Sequence, residues 1–164
     1  MILTVLQEKL AEGHALAIAA AAVTDKVEAL VDDEVLVAEL ATMRREGEET
    51  RGRCLAVEAS FGAQLAETML AHANTTNEKA ADLAVTWFTA GTGPLAAWSF
   101  LAMSEAAEVA TWSAVATLAR KLPPGPVAEL AAWALDVQTR HLQAALAGSL
   151  RVAGLADPAA PRWG

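Results

Sequence analysis

Apolar side chains recur along this chain at steps of three and four residues, the spacing of one helix face. Leu3, Leu6, Leu10, Ala17 and Ala21 mark a first helix over residues 2–31. Leu36, Leu40, Met43, Cys54 and Phe61 mark a second over roughly 34–61, with Asp32 and Asp33 as natural N-caps. Phe61-Gly62 marks its bend or end. Inside the connecting region 63–93, Thr75-Thr76-Asn77-Glu78 has the form of a capping box, so the pattern predicts a shorter helix over about 76–90. Gly91-Thr92-Gly93 ends it, and Pro94 suits the first position of a helix over roughly 94–121. Pro123-Pro124-Gly125-Pro126 is a hard turn, followed by a last long helix over 126–153. Residues 154–164, with two Pro and two Gly, read as a loose tail in which Trp163 stands apart.

Composition sharpens this to an all-α domain. Of 164 residues, 40 are Ala and none is Tyr, and Ala is the best helix former. All six Pro lie at or after Pro94, leaving residues 1–93 without the strongest helix breaker. The length suits one domain, bundled over 1–153. No uncharged apolar run reaches the roughly 18–20 residues that span a bilayer. The stretch Ala15–Thr24 is short, follows Glu8, Lys9 and Glu12, and continues as a helical pattern rather than a cleavage site. The expectation is a cytoplasmic protein without membrane contact. A net charge of −8 argues against nucleic acid, and Arg44, Arg45, Arg51 and Arg53 alternate with Glu46, Glu48 and Glu49 as in a salt-bridged helix face. The single Cys54 excludes an internal disulfide or a multi-Cys cluster and reads as a small buried hydrophobe.

Two halves of the chain look alike. Val37-Ala38-Glu39-Leu40-Ala41 returns as Val127-Ala128-Glu129-Leu130-Ala131 ninety residues later, each copy opening the second helix of a pair. The same offset aligns Glu46 with Asp136, Glu48 with Gln138 and Arg51 with His141. Two antiparallel helix pairs joined by a long crossover have the topology of a ferritin-like bundle.

On these residues the chain resembles the ferritin-like and rubrerythrin-like superfamily, over roughly 1–61 and 94–153. In that family two helices each give a Glu and two give Glu-x-x-His, whose ligands share one helix face and together hold two metals. Here Glu48-Glu49-Thr50-Arg51 has Arg in place of His, and Gln138-Thr139-Arg140-His141 has Gln in place of Glu. Residues at equal height on the partner helices are Glu12 or His14, and Glu105 or Glu108. The resemblance thus implies a degenerate dimetal site with candidate ligands Glu12, His14, Glu48, Glu105, Glu108, Gln138 and His141, disrupted by Arg51.

Read without the family, Leu101, Glu105, Glu108, Trp112, Val115 and Ala119 form a single stripe. Two carboxylates within an apolar stripe are unusual, because burying an unpaired charge is costly. His141 lies on the stripe Val127, Leu130, Ala134, Val137, Ala144 and Gly148, where a lone His is commonly a hydrogen-bonded core residue. The face of His14 is undecided, and His72 reads as solvated. Trp87, Trp98, Trp112 and Trp133 read as core. The chain lacks His-Glu-x-x-His, a phosphate loop and a dinucleotide fingerprint.

The reading adopted is a ferritin-like bundle with an eroded dimetal site, a binding or assembly module rather than an enzyme, without cofactor. One alternative is a metal-dependent oxidoreductase or iron-handling protein, using iron or manganese through a non-standard ligand set. Another is a bundle that binds an apolar small molecule. A thin Ala-rich core predicts a homodimer. The same reading expects an internal Arg51–Glu105 or Arg51–Glu108 ion pair replacing the metals' charge.

Overall fold

In the computed structural model, which describes residues 2–159, the chain is all-helical: α1 (Val5–Glu28), α2 (Glu34–Ala59), α3 (Ala63–Trp87), α4 (Pro94–Ala119) and α5 (Pro126–Leu155). Local chemistry sets the starts. Thr4 and Gln7 close a capping box at α1, Thr4 N–H donating to Gln7 Oε1 at 2.9 Å. The Asp33 carboxylate caps α2 by accepting from the Val35 and Leu36 amides at 3.0 and 3.2 Å. Pro94 and Pro126 open α4 and α5, where the missing amide hydrogen costs nothing. Trp163 and the end of the tail lie outside the described residues.

The crossover differs from the expectation. Rather than a short helix over 76–90, α3 is as long as its neighbours and starts directly after Gly62. Gly62 makes the corner with φ of +92°, a conformation in which a side chain would be strained. The apparent capping box is interior to the helix: Thr75 Oγ1 donates to the Ala71 carbonyl one turn back. Nothing between Ala63 and Trp87 breaks a helix, so the chain does not stop to be capped.

α1 packs on α2 and on α4, and α5 packs on α2 and α4. The order round the bundle is therefore α1–α2–α5–α4, two hairpins laid side by side. α3 lies outside this ring, against α1 and α2, and buries only Met69, Ala73 and Ala84. Ion pairs tie the hairpins at their ends: Arg44 bridges Asp25 and Glu28 at 2.6 Å each, and Arg151 holds Asp33 at 2.6 Å.

The core divides in two along the bundle axis. One apolar cluster gathers Leu10, Cys54, Met69, Trp112, Val115 and Leu130. The other gathers Val27, Leu40, Met43, Trp98, Leu101 and Ala145. Two tryptophans fill these clusters by lying on glycines: a Cβ on Gly13 would come within 2.9 Å of Trp112, and one on Gly148 within 2.2 Å of Trp98. Trp87 and Trp133 are not core. Trp87 is exposed, its indole N–H donating to the Ala96 carbonyl at 3.1 Å. Trp133 is half-buried beneath the Arg53 guanidinium, 4.0 Å from ring to cation.

Candidate functional site

Between the two apolar clusters, all four bundle helices turn polar. α4 runs from Trp98 and Leu101 through Glu105 and Glu108 to Trp112. α5 runs from Leu130 and Ala134 through Gln138 and His141 to Ala145. α2 passes Gly47 and Thr50, and α1 contributes His14 and Ala17. His14, Thr50, Glu105, Glu108, Gln138 and His141 are all buried, and no Lys or Arg is buried among the described residues.

The expected role of Arg51 is overturned. Arg51 and Glu48 are both exposed, and no ion pair joins Arg51 to Glu105 or Glu108. The reason is one residue of register. The ninety-residue sequence repeat aligns Arg51 with His141. The buried stripes align at ninety-one: Leu40, Met43, Gly47, Thr50 and Cys54 of α2 match Ala131, Ala134, Gln138, His141 and Ala145 of α5. A one-residue step turns a side chain by about 100° round a helix, which carries Arg51 from the core to water. The same shift matches His14 with Glu105, and Ala17 with Glu108. Glu12 also lies outside the layer, half-exposed and paired with Lys9 at 2.6 Å. The layer is thus lopsided: α4 and α5 supply four polar side chains, while the matching positions on α1 and α2 are His14, Ala17, Gly47 and Thr50.

Two carboxylates not foreseen in the sequence hold the two buried imidazoles, both from α2. Glu58 is fully buried, and its two oxygens accept from His14 Nδ1 at 3.0 and 3.1 Å. Glu46, at the edge, accepts from His141 Nε2 at 2.7 Å and from Arg140 at 3.2 Å. Glu58 was legible as the residue one turn beyond buried Cys54; Glu46 sits beside the stripe and gave no such signal. Each imidazole therefore has one nitrogen held by an α2 carboxylate and the other left open. His14 Nε2 has no partner, and His141 Nδ1 stands 3.6 Å from Glu105 Oε2, beyond hydrogen-bond length.

The remaining orphans in this layer are acceptors: Glu105 Oε2, Glu108 Oε2 and the Gln138 amide oxygen. The Trp98 and Trp112 N–H groups are also unpartnered, within the flanking apolar clusters. Burial, reinforced by repulsion from Glu105, raises Glu108 well above the ordinary carboxylate range and favours its protonated form. Burial alone would favour neutral His141, but Glu105 and Glu46 on either side outweigh it and raise its pKa. At Glu46 burial is likewise outweighed, by Arg140 and His141, which hold its carboxyl below the usual range. Cys54 is no nucleophile: burial, with Glu58 and Glu108 adding to it, pushes its thiol far up.

The donor types, though not their present spacing, suit a cation. Two carboxylates, an amide oxygen and two oriented imidazoles are ligands for a divalent metal, and carboxylate-held histidines are the usual outer support of such sites. Six Glu and His ligands, as a metal pair needs, are absent from the layer. No three His or Glu ligand atoms of the layer lie within 4.8 Å of one another. No family model, curated protein or solved structure matches this chain. Among the described residues no helix is long and apolar enough to cross a membrane.

Proposed function

We propose that the protein is a ferritin-like bundle whose central layer holds one divalent cation, iron(II) or manganese(II), in place of a metal pair. The observation that carries this reading is the set of unpartnered buried acceptors, Glu105, Glu108 and Gln138, with no buried Lys or Arg to neutralise them. The argument for an arginine-neutralised, metal-free centre rested on Arg51, which lies in solvent. Glu105, Glu108 and His141 would hold the ion, closing in from the wider spacing they have here, with Gln138 beside them. A bound ion would supply Lewis acidity and, for iron, a one-electron couple. The chain's own part is to orient the imidazoles through Glu46 and Glu58, to exclude water with two apolar clusters, and to give up the Glu108 proton as the cation enters. A homodimer belongs to the same reading, since Leu83, Val85 and Trp87 of α3 are exposed.

The test is anaerobic titration with manganese(II), counting free ion by electron paramagnetic resonance. One equivalent should bind, be lost in Glu105→Gln/Glu108→Gln and be kept in His72→Ala. Ion at one hundred times its Kd should stabilise the fold by about 2.7 kcal/mol. Wild type that binds neither manganese nor iron would leave the layer as a proton-bearing relic and return the reading to a binding or assembly module.

A further inference from the structure

A second group of ligands lies outside the bundle core, where α3 crosses α1. Glu8 and Glu12 stand one turn apart on α1, and His72 projects from α3. One ligand atom from each lies within 4.8 Å of the other two, the one such trio of His, Cys, Asp or Glu among the described residues. His72 lies 60 residues along the chain from Glu12 and 64 from Glu8, so helical spacing alone does not account for the trio. His72 is half-buried rather than solvated, and its Nε2 atom is shut off from solvent with no hydrogen-bond partner. A ring nitrogen within 4.8 Å of two carboxylates, on an imidazole with an unpartnered Nε2, is a ligand arrangement. His72 and Glu8 also line a recess of about 470 Å³ with Ile2, Leu3, Thr68, Ala71 and Thr75, which gives room for water.

We propose that Glu8, Glu12 and His72 bind a divalent cation of the zinc(II) class, which clasps α3 to α1. One nitrogen and two carboxylate oxygens are three ligands of a tetrahedral zinc shell, with water from the recess as the fourth. The clasp falls where the fold is short of glue, since α3 buries only three side chains. Lys9 is the built-in competitor: its ammonium holds one Glu12 oxygen at 2.6 Å and opposes a second cation at that carboxylate. The site is independent of the central layer.

The experiment is zinc(II) titration of the full chain by calorimetry, with the ring nitrogens of His14, His72 and His141 followed by ¹H–¹⁵N correlation spectra. Zinc should shift the His72 ring-nitrogen resonances. His72→Ala should weaken this equivalent at least about tenfold, since even supporting residues of metal sites cost that much. Lys9→Ala should tighten it, and Glu105→Gln/Glu108→Gln should leave it in place. An unchanged His72 spectrum at saturating zinc overturns the proposal, and this reading of wild type stands even where His72→Ala fails to fold. Equal zinc affinity in wild type and a folded His72→Ala overturns it as well.

Discussion

Replacing Gly148 with alanine tests how tightly Trp98 closes one side of the polar layer. A Cβ there would lie 2.2, 2.4 and 2.7 Å from three ring carbons of a fully buried indole. Carbon–carbon contacts are comfortable at about 3.5–4.0 Å, so the ring must retreat by roughly 1.3 Å. It has little room, because Ala97, Phe100, Leu101 and Ala145 pack in the same cluster and protein interiors are as dense as organic crystals. Overpacking costs about 1–3 kcal/mol, and a shift of this size belongs at the upper end. Alanine's better helix propensity returns up to about 1 kcal/mol. Gly148→Ala should therefore lose about 2 kcal/mol. Gly13→Ala meets Trp112 at 2.9 Å, needs roughly half that retreat, and should fall within about 1 kcal/mol of wild type. Gly52→Ala meets nothing within 4 Å and should gain up to about 1 kcal/mol. Urea unfolding followed by circular dichroism and tryptophan fluorescence gives all three values. A Gly148→Ala protein as stable as wild type would refute the reasoning, and so would Gly13→Ala proving the worse of the two.

Three further outcomes follow from the polar layer and its edge. Arg51→Ala should change stability by less than about 0.5 kcal/mol in thermal or urea melts, as exposed substitutions do, against the roughly 3–5 kcal/mol of a broken buried pair. Without metal, the raised pKa of Glu108 and of His141 both mean that folding takes up protons. Their stabilisation is complete below the unfolded values, about 4.3 for Glu and about 6.5 for His, and fades as pH rises through the raised ones. Glu46, held low, acts in the opposite sense at the acid end. Stability measured against pH should thus decline from mildly acid to alkaline, less steeply in Glu108→Gln, and metal affinity should rise along the same scale. Finally, in a His72→Ala background, Gly47→Glu, Thr50→His and Gln138→Glu together should restore both Glu-x-x-His pairs and raise bound iron or manganese from one equivalent to two by elemental analysis.

The helical pattern was readable because punctuation and periodicity agreed: every Pro fell at a helix start, a turn or the tail. The α4 stripe was legible to the residue, since Glu105 and Glu108 interrupt an otherwise apolar series. The α2 half of the site was misread because two signals conflicted. Continuing its own stripe from Met43 by four, three and four leads to Gly47, Thr50 and Cys54. The repeated pentapeptide pointed instead to Glu48 and Arg51, residues that look like chemistry. The stripe won because burial follows the helix face, and a match between Ala-rich segments tolerates a one-residue slip. Glu58 continues the α2 stripe one turn past Cys54, but its pairing with His14, like Glu46 and the trio with His72, depends on which helices touch and at what height.

A band of hydrogen-bonding groups between two greasy ends has a consequence for alignment. Apolar clusters built largely from Ala and Leu are forgiving: one helix could slide along its neighbours by a turn and still bury hydrocarbon. The polar band does not permit this. A slide of one turn along α4 would push Glu105 or Glu108 in among the leucines and tryptophans, stranding an acid where nothing can solvate it. A slide of α5 along α2 would part His141 from Glu46, and a slide of α1 along α2 would part His14 from Glu58. The band therefore works as a key cut across the bundle, fixing helix heights that the alanines alone would leave loose.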